Sequence, residues 1–303
     1  MEIQTIIANG IRLALEDHGP KDATPLVLIR GQGSQMAHWP RELIDGLVSA
    51  GFRTIAFDNR DVGLSQRCPV SGAPSDAEEI LRLLRKGEAI TAPYGPEDMA
   101  RDVTGLMDAL GLEEAHVFGI SMGGMITQQL MLQAPERLLS ATIVMSSCRP
   151  MFEPNSPDDV GLIARAEQLL ARPQSREEYL MSQIEEHAKW GSPGYPMPEA
   201  DIRAMGEIAY DRGVDAEGLN RQLLAIVNAT DRRPGLAKTE VPCLVVHGEE
   251  DALVPLASGK EIAEVVPGSE FLPVPGMGHI ITPRLAPLIV QAVTDFIFRR
   301  ASG

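Results

Sequence analysis

Three things are scarce in this sequence, and each scarcity excludes a class of function. Cysteine occurs 3 times in 303 residues, at Cys68, Cys148 and Cys243. An odd count in a long chain is no disulfide framework, and no pair has metal-ligand spacing. Cys148 and Cys243 lie at the end of, or inside, apolar runs and read as buried small hydrophobes. Basic residues are outnumbered: 27 Lys and Arg stand against 42 Asp and Glu, a formal charge of -15. Such a surface repels phosphates and anionic headgroups, so neither nucleic acid nor membrane is an expected partner. It also disfavours polyanionic substrates slightly, although its first effect is solubility. Long apolar runs are missing too, and none approaches membrane-spanning length. Met1 to Thr5 lacks a basic segment leading into an apolar one, so no export signal is visible and cytoplasm is the expected address. There is no internal repeat and no low-complexity tract.

Hydrophobic residues make up 44% of the chain, enough for a packed interior. Single cores stop growing near this length, so one large domain with a smaller insertion is expected. Ile3 to Ile7 and Ile11 to Leu15 flank Asn9-Gly10, a tight-hairpin dipeptide, and predict an antiparallel opening ribbon. Short apolar runs then alternate with helical segments. The runs are Leu26 to Ile29, Thr54 to Phe57, His116 to Phe118, Thr142 to Met145, Cys243 to Val246 and Phe271 to Val274. Their near-continuous apolarity predicts parallel strands covered on both faces. Pro273 places the last at or near a sheet edge. Pro40 fits the first turn of a helix carrying Leu43, Ile44, Leu47 and Val48. Met99, Val103, Met107 and Leu110 line another, closed by Gly111. A third begins at Ser121 and ends before Pro135, and Leu288 to Phe298 forms a terminal one. A small excursion, Ser71 to Pro93, holds one helix, Ala77 to Leu84.

Residues 149–234 break this rhythm. Helical segments such as Leu162 to Leu170 and Glu177 to His187 alternate with Pro/Gly joints, among them Gly191-Ser192-Pro193-Gly194, and no strand pattern stands out. This predicts a helical cap, or lid, inserted into a core domain formed by 1–148 and 235–303.

Gly119-Ile120-Ser121-Met122-Gly123 matches Gly-x-Ser-x-Gly. By chance such a triplet arises in roughly one chain in ten of this length. A glycine-rich turn with a capping serine would read the same. Its setting is more specific, because it follows a strand and opens an apolar helix, the context in which a serine is held on a strained elbow. Gly119 and Gly123 are needed where strand and helix pack too closely for side chains. The helix N-terminus directs its dipole at a developing oxyanion.

The serine needs a base, and there are six histidines. His116 and His247 lie in strand runs and read as structural. His18 and His38 adjoin turn residues, and His187 sits on a polar helix. His279 follows the last strand in Pro275-Gly276-Met277-Gly278-His279, a loop able to present an imidazole over the sheet edge. The base needs a carboxylate. The run after the preceding sheet strand, Met145-Ser146-Ser147-Cys148, offers none, whereas Glu249, Glu250 and Asp251 follow Cys243 to Val246. Asp251 best fits the spacing to the turn; its other reading is a cap for the helix after Pro255. The order Ser121, Asp251, His279 is the order such elbows use. For the oxyanion hole, the backbone N–H of Met122 and one from Arg30-Gly31-Gln32-Gly33-Ser34 are expected, Gln32 being the choice. A flexible glycine turn is the alternative for that loop. Arg30 beside it is expected to pair with a core acid, a substrate carboxylate being the other reading.

On these residues the chain resembles the α/β-hydrolase superfamily across essentially its whole length. Asp58-Asn59-Arg60-Asp61-Val62-Gly63-Leu64-Ser65 looks like that superfamily's Asp-x-Arg-Gly-x-Gly-x-Ser loop, with Asp61 in place of the first glycine. Arg30-Gly31 stands where His-Gly is usual. Both departures, with Trp39-Pro40, are similar to the aclacinomycin methylesterase-like carboxylesterase branch. That resemblance implies an α/β-hydrolase fold, no cofactor or metal, and cleavage of a small-molecule ester, in that branch a methyl ester on a bulky polyketide. Related cofactor-free haloperoxidases (perhydrolases) share an elbow like Ser121 to Gly124, and C–C bond hydrolases also remain alternatives. Ser121 argues against members with an aspartate nucleophile. A ligand-binding receptor on a hydrolase scaffold is the rival from another class. Met151, Met181, Met197, Met205, Trp190, Tyr195 and Tyr210 are candidates for either pocket or core. Neither monomer nor homodimer is indicated.

Overall fold

The computed structural model describes residues 2–86, 88, 90–150, 167, 169–172 and 174–301. Its centre is one eight-stranded sheet of order β1-β2-β4-β3-β5-β6-β7-β8. The strands are β1 (Gln4–Ala8), β2 (Ile11–His18), β3 (Thr24–Ile29), β4 (Phe52–Phe57), β5 (Ala115–Ile120), β6 (Leu138–Val144), β7 (Cys243–Gly248) and β8 (Glu270–Val274). Pairing is antiparallel between β1 and β2 and between β2 and β4, and parallel elsewhere. Asn9 and Gly10, at φ 49° and 76°, make the opening turn. β8 pairs β7 alone, so Pro273 sits on an edge strand, where a missing N–H costs no ladder bond.

Successive strand side chains point to opposite faces, and this splits the core in two. Val27 and Ile29 face the cluster shared with α3 (Pro96–Ala109), α4 (Met122–Gln133) and α8 (Leu256–Val265). Leu26 and Leu28 face the cluster shared with α1 (Arg41–Ser49) and α9 (Ala286–Ala301). This two-sided burial is why the strand runs are continuously apolar. α2 (Ala77–Arg85) heads a smaller cluster with Leu223 and Leu224.

Three expected boundaries move by one residue, each for a backbone reason. Pro40 is the N-cap of α1 and not its first turn, with ψ at 133°. β6 ends at Val144 because Met145 takes φ 45°. α4 starts at Met122 because Ser121 is not helical.

Within 149–234, the described residues form α5 (Arg176–Trp190), α6 (Glu199–Arg212) and α7 (Ala216–Val227), with no strand, and a short helix, Arg233–Leu236, runs across the expected boundary at 234. The expected helix from Leu162 to Leu170, and Met151, lie outside the described residues or largely so. These helices are tied to the loops that follow β3, β4 and β8. Gln35 donates through Nε2 to the Ala209 carbonyl at 2.8 Å. Gly33 N–H donates to Gln222 Oε1 at 2.8 Å. Asp61 takes two bonds from Arg221. No helix among the described residues is long and apolar enough to cross a membrane.

Candidate active site

Ser121 sits between β5 and α4 at φ 54° and ψ -119°. A non-glycine residue there is strained and persists only when its surroundings hold it. The neighbouring glycines account for the closeness of the turn. A Cβ at Gly123 would lie 2.1 Å from the Ile29 carbonyl oxygen, and one at Gly119 2.2 Å from the Gly123 carbonyl oxygen. Ser121 N–H donates to the Val144 carbonyl at 3.0 Å. Ser146 Oγ donates to the Ser121 carbonyl at 2.8 Å. The elbow is therefore fastened to β6 by its backbone, leaving its hydroxyl at the C-terminal edge of the sheet.

His279 Nε2 lies 2.9 Å from Ser121 Oγ. Its Nδ1 lies 2.7 Å from Asp251 Oδ2. Asp251 Oδ1 accepts the N–H groups of Leu253 and Val254 at 2.9 and 2.8 Å. These bonds fix the carboxylate in the turn before α8, so Asp251 is not that helix's cap. With Oδ1 held by the backbone, Oδ2 is directed at the imidazole. Glu249 and Glu250 do not take this place; Glu250 accepts the Gly276 N–H at 2.7 Å. The three side chains expected from sequence thus converge, with the imidazole between hydroxyl and carboxylate.

The loop carrying His279 is held from the chain around the end of α5. His279 N–H donates to the Trp190 carbonyl at 2.7 Å. Gly278 N–H donates to Ser192 Oγ at 3.0 Å, and that hydroxyl donates to the Ile280 carbonyl at 2.6 Å. Sequence reasoning treated Gly191-Ser192-Pro193-Gly194 only as a joint between helices. The available signal was Ser192, a small hydroxyl residue in a glycine-flanked turn, which suits backbone bridging. His247, fully buried in β7, was expected to be structural. It hydrogen-bonds the Val254 carbonyl through Nε2 at 2.9 Å, 3.6 Å from Asp251 Oδ2, and burial lowers its pKa.

Met122 is the first residue of α4, so its N–H has no carbonyl partner within the helix. Gln32 lies across from it on the loop after β3, and both line one cavity with Ser121. Two cavities meet at Ser121. One, about 240 Å³, is lined by Arg30, Ser121, His279, Trp190, Met197 and Met205. The other, about 280 Å³, is lined by Ser121, Met122, Met125, Met145, Ile226 and Leu253. Of the inserted residues left between pocket and core, Trp190, Met197 and Met205 face the first cavity. Tyr195 and Tyr210 pack on hydrophobic clusters, and Met181 is exposed. Arg30 does not have the expected core acid; its guanidinium lies over the Trp39 ring, 4.5 Å from the centroid. No cluster of His, Cys, Asp and Glu among the described residues is arranged to hold a metal ion.

A mostly parallel sheet of this order, with a serine elbow and a histidine loop at its C-terminal edge, defines a hydrolase of the α/β type. The profile of the family described as alpha/beta hydrolase fold matches residues 24–282, and the chain belongs to that family. It is 26% identical over 297 residues to rhodomycin D methylesterase DnrP of Streptomyces peucetius, covering 93% of each chain. It is 24% identical over 294 residues to 3-oxoadipate enol-lactonase 2 of Acinetobacter baylyi, covering 95% of each. The crystal structure of the enol-lactonase from Burkholderia xenovorans LB400 superposes with a TM-score of 0.74 at 24% identity, covering 97% of this chain and 100% of the other.

Proposed function

We propose that this hydrolase cleaves a carboxylic ester of a small molecule through an acyl-enzyme on Ser121, with His279 as base and Asp251 as its supporting acid. One observation carries the reading: the unbroken run from Asp251 Oδ2 to His279 Nδ1 at 2.7 Å and from His279 Nε2 to Ser121 Oγ at 2.9 Å. Ser121 Oγ attacks the ester carbonyl while His279 takes its proton. Asp251 holds the imidazole in the tautomer that leaves Nε2 free to accept, and stabilises the imidazolium. The backbone N–H groups of Met122 and Gln32 receive the oxyanion, where fixed donors are worth most. The alcohol leaves with the proton from His279, and water then repeats the sequence on the acyl-enzyme. Residues 149–234 act as a cap over this centre, on a core of 1–148 and 235–303. The likeness to a methylesterase supports an ester of a small alcohol.

The test is a panel of aryl and methyl esters of varied length and bulk, run on wild type and Ser121→Ala, with and without hydrogen peroxide. Ester turnover that Ser121→Ala loses by about 10³-fold or more is expected, as coupled catalytic groups require. A fluorophosphonate should label Ser121. Turnover retained by Ser121→Ala would overturn the reading. Peroxide-dependent products exceeding simple hydrolysis would move it to perhydrolysis. Tight ligand binding without turnover would make the chain a receptor.

A further inference from the structure

Among the described residues, buried arginines have partners, with one exception. Arg53 is paired with Asp17, Arg60 with Asp102, and Arg221 with Asp61. Arg232 donates to Gln128 and to backbone carbonyls. Arg30 is 8% exposed, and its Nε has no hydrogen-bond partner. Among the described residues its side chain makes neither a hydrogen bond nor an ion pair. A desolvated cation without a counter-charge is costly, and such groups persist mainly where function uses them.

Its position says what that use is. Arg30 ends the run from β3 into the loop carrying Gln32, and it lines the 240 Å³ cavity that Ser121 and His279 share. It is the one Arg or Lys on that wall among the described residues. Burial draws its pKa down to about 9, so it keeps its charge at neutral pH. Its titratable neighbours do not neutralise it. His38 and His187, on the same cavity, are held low by burial and next by Arg30 itself, at about 3 and about 4. Glu186 also lines the cavity, but burial pushes its carboxyl up to about 7 and its hydrogen bond comes from Gln183, at 3.4 Å, not from Arg30. The cation–π contact with Trp39 engages no N–H in a hydrogen bond, so the guanidinium keeps donors to offer. Such a fork matches a carboxylate, and a water-poor setting strengthens the pairing. The apolar 280 Å³ cavity on the other side of Ser121 suits an uncharged portion.

We propose that Arg30 is a specificity-determining residue that pairs with a carboxylate borne by the ester substrate, so that monoanionic esters, such as half-esters of dicarboxylic acids, are preferred to neutral ones. This deepens the ester-cleavage reading above and rests on it. Each such substrate presents one carboxylate to Arg30 while its ester carbonyl reaches Ser121. The acidic surface, which disfavours polyanions, does not oppose a single charge met by one buried cation.

The experiment compares kcat/KM for para-nitrophenyl hydrogen glutarate and for its uncharged isostere, in which two methyl groups replace the carboxylate oxygens. Wild type, Arg30→Met and Arg30→Lys are measured at one ionic strength. Wild type should prefer the anion. Arg30→Met should lose about 10- to 100-fold more on the anionic ester than on the isostere, as removal of a charged hydrogen bond implies. Arg30→Lys should restore part of that difference, chiefly in KM. Thermal melting checks that each variant folds; if Arg30→Met does not, the lysine variant and the wild-type preference decide. A wild type that favours the isostere, or variants that lower both esters equally, would overturn the assignment while leaving ester cleavage intact. A wild type that cleaves neither ester would remove the ester-cleavage reading itself, and this inference with it.

Discussion

Arg221 grips both carboxylate oxygens of Asp61, at 3.0 and 2.7 Å, across 160 residues of sequence. Asp61 also accepts from the Tyr94 hydroxyl at 2.5 Å and from the Cys68 N–H at 2.7 Å. Its φ is 71°, a conformation glycine adopts more readily, and the related loop usually has glycine there. Its bonds to Arg221 tie α7, which lies between β6 and β7 in the chain, to the loop after β4 and hold the strained backbone in place. The side chains are 0% and 4% exposed. Removing Asp61 takes both short bonds from Arg221 and leaves it the longer contacts to Asp215 at 3.4 Å and Glu217 at 3.7 Å. Asp61→Ala should therefore cost about 2–3 kcal/mol in folding stability by urea denaturation, the range of a lost charged hydrogen bond. Asp61→Gly should also destabilise, although it relieves the backbone. Adding Arg221→Met to Asp61→Ala should cost less than the sum of the two single changes, because both remove the same pair. A loss below about 1 kcal/mol for Asp61→Ala would mean that the pair does not anchor the insertion.

The fold was legible because burial on two faces writes itself into short, continuous apolar runs, and every expected strand overlaps an observed one, with Ile3 and Met145 the residues left outside. Ser121 was legible from two glycines whose absence of Cβ the close packing demands. Asp251 followed from the lack of any carboxylate after β6. What stayed hidden depends on distant partners. Nothing local distinguishes Arg30, which lacks an acid, from Arg221, which has one. Nor does it show that Trp190 and Ser192 would brace His279. Methionine spacing likewise did not separate Met205, on the cavity, from Met181, in solvent.

Asp251 offers a test of orientation separate from charge. Asparagine can keep both backbone bonds from Leu253 and Val254 while changing what it presents to His279 Nδ1. The imidazole would then favour the wrong tautomer. Asp251→Asn should lower kcat for an aryl ester by about 10³- to 10⁴-fold with little change in KM. A loss under tenfold would mean that Asp251 does not orient His279.

The cysteines should differ sharply in reactivity. Burial pushes the Cys243 thiol up to about 12 and the Cys148 thiol up to about 11, so neither forms thiolate near neutrality. Cys68 is only half-buried, although burial and the charge of Asp61 raise it as well. A thiol reagent at about pH 8 should modify at most one cysteine of the native protein, and mass mapping should find it at Cys68. All three should react in denaturant. Prompt native labelling of Cys243 would contradict its place in the sheet.

His116 lies in β5, with Nδ1 2.8 Å from Ser140 Oγ and its ring edge-on to Phe52. Burial draws its pKa down from the ordinary 6.5 to about 4. The unfolded chain therefore binds a proton there more readily than the folded one. On that sign, its contribution to stability is whole above about pH 6.5 and shrinks as pH falls toward 4. Between pH 7 and about pH 4.5 it should account for about 2 kcal/mol of lost stability. The measurement is urea unfolding of wild type and His116→Gln at both pH values. The glutamine variant should lose about 2 kcal/mol less than wild type over that interval, whatever its stability at pH 7. Buried carboxyls such as Asp58, whose pKa burial raises, act in the opposite direction in both proteins and cancel in the comparison. Equal losses in the two proteins would mean that the imidazole titrates alike folded and unfolded.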